Sequence, residues 1–263
     1  MNRGFTQEPA TDLASPSAEP VGPLVALWRL PSMTMARFLL MSHLRSGWLW
    51  GEVVYVLALF AIFWNPYPGD QAYFFTTGGA GLGALAVIGS AIMTRRALNA
   101  RVYLPLARLP SRDAAVRGLV IASGALRLPL YLLLLALVLL LRRIDNPSAS
   151  GLLIGSLGTL ALCLVLVALT VALSPPIATR LMRIGFLAWL VLALAPPINV
   201  GPINALLTII RLPAVPVAAC YTLGTAPGVS PAALWAVPLS AAYIVGLTLL
   251  AGLWLAKCDL ILH

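Results

Sequence analysis

The chain has 263 residues, of which 60% are hydrophobic and 10% charged, and its formal net charge is +9. Its mean hydropathy of +0.95 is that of a membrane protein, so the positive charge does not indicate nucleic-acid binding. The single lysine, Lys257, is followed by Cys258, which excludes a phosphate-binding GxxxxGK[S/T] loop. We therefore expect no ATPase site and no catalytic residues in this chain.

The N-terminal 47 residues divide into two parts. Residues 1–23 are polar and rich in Pro, Ser and Ala, which is typical of a disordered cytoplasmic tail. Residues 24–47 mix apolar and basic side chains at roughly helical spacing, and this pattern predicts an amphipathic helix in the headgroup plane, its basic face toward lipid phosphates. An ordinary cytoplasmic helix is the alternative. The apolar members are Trp28, Met35, Phe38 and Leu39, and the basic ones are Arg29, Arg37, His43 and Arg45.

Residues 48–263 predict an all-α, polytopic transmembrane domain. A helix needs roughly 20 apolar residues to cross about 30 Å of hydrocarbon, and six stretches meet that requirement. They are residues 48–64, 74–94, 118–141, 151–174, 184–212 and 232–256. The fifth is long and is interrupted by Pro196 and Pro197, and further prolines follow at 213 and 216. Because proline breaks helices, we predict re-entrant helices over residues 196–229, between spans five and six.

The basic residues are distributed unevenly between the two sets of connections. In short loops Arg and Lys accumulate on the cytoplasmic side. With the N-terminus inside, thirteen of the 17 basic residues fall in inner segments, and only Arg142, Arg143 and Arg211 fall outside. We therefore predict that both termini are cytoplasmic.

Aromatic residues and glycines give two further expectations. Trp48, Trp50 and Tyr55 at one end of span one, with Trp64 and Tyr67 at the other, are typical of interfacial aromatic belts. Small-xxx-small pairs in spans two and four predict close helix packing, within the chain or against a partner. The pairs are Gly79 with Gly83 and Gly151 with Gly155.

Two ionisable residues lie inside predicted spans. Glu52 is about one turn into span one, and Arg127 is deeper in span three. Charges in membranes are costly and usually face the bundle interior or pair with each other. Because both residues enter from the same side, we predict an Arg127–Glu52 pair.

Cofactor and metal sites are not indicated. The cysteines, Cys163, Cys220 and Cys258, have no CxxC spacing, and the only histidines, His43 and His263, are at the membrane margins. We expect no disulfide, no metal and no cofactor in this chain. A single pigment bound by His43 is the alternative.

The inner connection between spans two and three, TRRALNARVYLPLARLPSRDAAVR, is long, basic and interrupted by Pro105 and Pro110. It predicts a segment that rests on headgroups or docks on a cytoplasmic protein. With the in-plane helix, six spans, inner termini and re-entrant helices, this arrangement resembles the permease subunits of type-2 ABC exporters, a family of drug, lipid and polysaccharide efflux permeases. The stretch LPLARLPSRDAAVRG is similar to the loosely patterned Leu-Pro-Ser-Arg segment of that family, and the likeness covers nearly all of the chain after Pro23.

The resemblance implies a coupling helix within Thr94–Arg117 that docks on a cytoplasmic ATPase subunit, which would bind and hydrolyse the ATP. It also implies that a second copy or a sister permease completes the path, in the bacterial cytoplasmic (inner) membrane. The candidate contact residues for the ATPase are Arg101, Tyr103, Arg108, Arg112 and Asp113.

Spans one, two and five would line the path, and their apolar character favours a lipid-like or amphipathic substrate. The candidate path residues are Glu52, Arg127, Asn199 and Asn204. The glycine faces of spans two and four, and span five, are the candidate surfaces for the second permease.

Two other classes of function remain open on the sequence. A non-transporting structural subunit of a respiratory or photosynthetic complex would also have few polar residues in its spans. A membrane enzyme acting on lipid would need acids or histidines clustered at one interface, whereas the eight acidic residues here are dispersed.

Overall fold

The computed structural model describes residues 30–97, 112–175, 177–185, 215–225 and 235–257. Within these ranges the chain is mostly helical and contains no β-strand. Seven helices have bounds within these ranges, and they are numbered in chain order: α1 (Pro31–Arg45), α2 (Trp48–Phe63), α3 (Gln71–Ala97), α4 (Arg112–Leu140), α5 (Ala149–Ala172), α6 (Val215–Thr225) and α7 (Ala236–Lys257). Residues 180–185 are also helical.

Four of these helices are long and apolar enough to cross a membrane. The mean hydropathies of α3, α4, α5 and α7 are 1.5, 2.1, 2.6 and 1.9, and they match the predicted spans two, three, four and six. Helix α2 has 16 residues, or about 24 Å, and the pair α1–α2 would be a fifth span if counted together. The chain is therefore a multi-pass membrane protein, and nearly all of predicted span five falls outside the described residues.

A sharp bend separates α1 from α2. The two helices meet at 73°, at the position where the sequence predicts a change from an in-plane helix to a span. Gly47 at the junction has φ +75°, a left-handed conformation that costs glycine little. The N–H of Trp50 bonds to the Gly47 carbonyl and starts α2.

The α2–α3 and α4–α5 connections lie side by side at one end of the bundle. The Gly69 N–H donates to the Arg143 carbonyl at 3.0 Å, and the Asp145 N–H donates to the Gly69 carbonyl at 3.0 Å. The Gln71 carboxamide oxygen also accepts a bond of 3.1 Å from the Ser148 N–H. We call this the loop end, comprising residues 64–70 and 141–148. Helices α2 to α5 therefore alternate in direction, as predicted.

The opposite end is formed by α1 and the ends of four other helices, and we call it the α1 end. One small cavity there is lined by residues of α1, the end of α3, the start of α4 and the ends of α5 and α7. Its lining includes Met35, Ala97, Ala115, Val171 and Leu255. Because α5 and α7 both finish at this end and pack against each other, they run parallel.

Helix α6 is a short helix within the predicted re-entrant stretch. Its 11 residues span about 16 Å, too little to cross a bilayer. Pro216 lies in its first turn, where the missing N–H costs no helix bond, so this proline starts a helix and does not break one. Cys220 and Leu223 pack with Ala161 and Leu162 of α5.

The glycine pairs pack inside the chain. A Cβ on Gly155 would overlap the Phe75 ring of α3, and one on Gly83 would come within 3.0 Å of Leu166 of α5. These glycines bring α3 and α5 together within the chain, which is the first of the two alternatives that their spacing left open.

The belt prediction is also wrong for Trp64, whose side chain is fully buried. Its indole ring contacts Tyr73 and Phe74 and lies against Gly78, where a Cβ would be 3.6 Å from the ring. Trp48, Trp50 and Tyr67 are exposed, as a belt requires.

Candidate functional site: a buried charge cluster

The predicted Arg127–Glu52 pair is present and buried. Arg127 Nη2 donates to Glu52 Oε1 at 2.8 Å, and the side chains are 3% and 7% exposed. The pair joins α2 to α4 across the face of α3. Removing one partner from such a pair leaves an uncompensated buried charge, which typically costs about 3–5 kcal/mol.

Two backbone carbonyls complete the arginine site. Arg127 Nη1 donates to the Leu85 carbonyl of α3 at 3.2 Å, and Nε donates to the Ser123 carbonyl at 3.3 Å. The guanidinium therefore binds to three helices at once. This arrangement disperses the positive charge over three oxygens and fixes the spacing of α2, α3 and α4.

Gly89 of α3 makes the space for this cluster. A Cβ at this position would overlap both Glu52 Oε1 and the Arg127 guanidinium. The sequence alone does not connect Gly89 with the two charges. In the sequence Gly89 is recognisable only as a small residue one turn after Leu85. Its position beside the two charges depends on the rotation of α3, which the sequence does not give.

His43 is the third ionisable member of the cluster. Its Nε2 lies 3.6 Å from Glu52 Oε1, longer than a hydrogen bond. The side chain is almost fully buried, and neither ring nitrogen has a hydrogen-bond partner among the described residues. Met35, Leu39 and His43 form the buried face of α1, so His43 packs against the bundle, whereas Arg37 and Arg45 of the same helix are exposed.

A cavity of about 70 Å³ lies beside His43, between α1 and the end of α3. Arg96 is in its wall and donates a hydrogen bond to the Ser46 hydroxyl at the α1–α2 bend. The remaining lining residues are Phe38, Leu39, Ser42, Met93 and Ala97.

The other predicted site residues are placed only in part. Asn199, Asn204, Arg101, Tyr103 and Arg108 lie outside the described residues. Arg112 begins α4, and Asp113 in its first turn is ion-paired with Arg117. Asp113 also packs against Gly252 near the end of α7, where a Cβ would overlap its carboxylate.

The described residues contain no group of three or more His, Cys, Asp or Glu side chains that could hold a metal ion. Cys163 and Cys220 are buried free thiols.

Comparison of the chain with protein-family models, with curated proteins and with solved structures gave no match.

Proposed function

We propose that this chain is the membrane-spanning permease subunit of an ATP-driven, ABC-type exporter that moves a lipid-like or amphipathic substrate. The observation that carries the proposal is the order of elements along the chain. The described part of the chain begins with a helix bent by 73° from the next one, continues with long helices of alternating direction, and has a short helix before the last long helix. This order is the one expected from the resemblance to type-2 ABC exporter permeases.

The parallel course of α5 and α7 supports a fifth crossing. Both helices finish at the α1 end, so the chain between Ala172 and Ala236 has to return to the other end. That stretch contains predicted span five. If α1 is in-plane and α2 is span one, this crossing would give the six spans of the proposal, with α1 and the end of α7 at the same end of the bundle.

The contacts of α4 support a coupling role for the segment before it. At Gly118 of α4, a Cβ would be 2.8 Å from the Ser32 carbonyl of α1, and Asp113 packs on Gly252 of α7. Arg127, about four turns after Asp113 along α4, donates hydrogen bonds to Glu52 of α2 and to the Leu85 carbonyl of α3. A force on the Thr94–Arg117 segment would therefore reach four helices through α4.

The charge cluster is assigned a structural role in this proposal. Glu52 and Arg127 are buried and paired within one chain, so they position α2 and do not offer a free charge to a substrate. The apolar outer face of α2 is the better candidate for the substrate path or the second permease. Its exposed members are Trp50, Val54, Leu57 and Ile62.

Replacement of the coupling-segment arginines tests the proposal. We expect Arg101→Ala/Arg108→Ala/Arg112→Ala to reduce recovery of a cytoplasmic ATPase with the tagged chain, with unchanged membrane insertion. Arg142→Ala/Arg143→Ala, at the loop end, is the matched control and should retain the ATPase. If the two variants recover equal amounts of the ATPase, the segment has no coupling role and binds lipid headgroups only.

A further inference from the structure

We propose that the cavity beside His43 is a binding site for a phosphate group, supplied by a lipid headgroup or by free phosphate. The cavity lies between α1 and the end of α3 and is separate from the paired atoms of Glu52 and Arg127. This inference does not depend on the exporter proposal.

The first observation is the state of His43. Its side chain is 97% buried, it lines the cavity, and both ring nitrogens lack a hydrogen-bond partner among the described residues. Buried polar groups are nearly always satisfied, and an unsatisfied one costs free energy. An occupant of the cavity that accepts a hydrogen bond from the imidazole would remove that cost.

The second observation is the charge of the cavity wall. Arg96 supplies a guanidinium with five N–H donors, and among the described residues its side chain bonds to the Ser46 hydroxyl. The Ser42 hydroxyl adds another donor to the lining. The carboxylate nearest to His43 is that of Glu52, whose Oε1 lies 3.6 Å from His43 Nε2 and is ion-paired with Arg127. A cavity wall that carries a positive charge and hydrogen-bond donors favours an oxyanion, and a guanidinium group binds phosphate well.

Size and position agree with a headgroup. A volume of about 70 Å³ exceeds what one or two waters need. The rim includes Phe38, which is 43% exposed, beside an arginine at the end of a membrane-spanning helix. An apolar rim next to a cationic wall suits a molecule with an acyl chain and a phosphate.

The test is calorimetric titration of the full chain in a neutral detergent with three probes. Dihexanoyl phosphatidylglycerol carries the phosphate and short acyl chains, dihexanoylglycerol carries the chains alone, and inorganic phosphate carries the anion alone. We expect saturable binding of the first and none of the second. Binding of inorganic phosphate would identify free phosphate as a sufficient ligand, and its absence would identify the lipid headgroup.

Variants locate the site. Arg96→Gln should weaken phosphatidylglycerol binding about tenfold, because it removes a charge-assisted hydrogen bond. Arg95→Gln makes the same charge change at the adjacent exposed position and should alter it less than about twofold. Equal losses from both variants, or equal binding of the two lipids, would overturn the proposal in favour of surface attraction or detergent-like insertion.

A second pair of variants keeps the test decisive if Arg96→Gln does not fold. Ser42 is exposed at the cavity wall, so Ser42→Phe should fill the opening and abolish binding without disturbing the core. Met41→Phe, exposed and outside the lining, is the control. Retained binding in Ser42→Phe would contradict the assignment.

Discussion

Arg127 has three oxygen partners, one from each of α2, α3 and α4. Its charge is therefore compensated inside the bundle, and the cluster fixes the positions of the three helices relative to one another. The sequence predicts the pair with Glu52 because an isolated charge in a span has to find a partner. It does not predict the Leu85 carbonyl, because that contact depends on the rotation of α3.

Arg127→Met tests how much the Arg127–Glu52 pair contributes to stability. The variant leaves Glu52 buried without its partner, and we expect the free energy of unfolding in detergent to fall by about 3–5 kcal/mol. Glu52→Gln/Arg127→Met removes both charges and should recover most of that loss. An Arg127→Met protein as stable as the wild type would show that the pair contributes nothing.

Gly89→Ala tests the space that the cluster needs. The new methyl group would overlap Glu52 and Arg127, and we expect a loss of about 1–3 kcal/mol from overpacking. Gly51→Ala in α2 is the control, since a Cβ there meets nothing within 4 Å. Similar thermal melts for the two variants would contradict the close approach at Gly89.

At the scale of helices, hydropathy predicts α3, α4, α5 and α7 because each is a long apolar run with at most two charges in its window. It does not predict which face of a helix is buried. His43 is buried although it is basic, because it follows Met35 and Leu39 at i+8 and i+4 on the face that packs on the bundle. Trp64 is buried because its indole ring packs against Tyr73 and Phe74 of α3.

The α3–α5 contact gives a prediction at the same scale. Gly155→Val should lower the melting temperature, because the side chain would displace the Phe75 ring. A Cβ at Gly246 of α7 meets nothing within 4 Å, so Gly246→Val should leave the melting temperature unchanged. Light scattering should give the wild-type oligomeric state for Gly155→Val, and dissociation of an oligomer without loss of stability would place this glycine at a subunit interface.

At the scale of the whole molecule, the paired connections fix which ends of the helices lie together, and the basic residues predict which end is cytoplasmic. Residues 69 and 145 are hydrogen-bonded at the loop end, whereas Arg95 and Arg96 are in the last turn of α3 at the other end. The path between α5 and α7 is the part that sequence reasoning predicts least well. Its prolines permit several combinations of short helices.

Side-specific cysteine labelling in intact cells tests this topology. Cysteines at Asp70, Asn146 and Trp235 should react with an impermeant maleimide from outside, and one at Arg95 should react only after the cells are opened. Trp235 reports on the crossing between α5 and α7, since it precedes the last helix. Protection of the Trp235 position together with labelling at Asp70 would contradict a fifth crossing.

The measurement that tests the proposed function most directly is the composition of the complex purified in mild detergent from native membranes. Native mass spectrometry should find two permease chains, either two copies or this chain with a sister permease, together with ATPase subunits. The complex should hydrolyse ATP, and the isolated chain should not, because its only lysine cannot supply a phosphate-binding loop. Recovery with redox or light-harvesting subunits and without any ATPase would contradict the exporter proposal and favour a structural subunit.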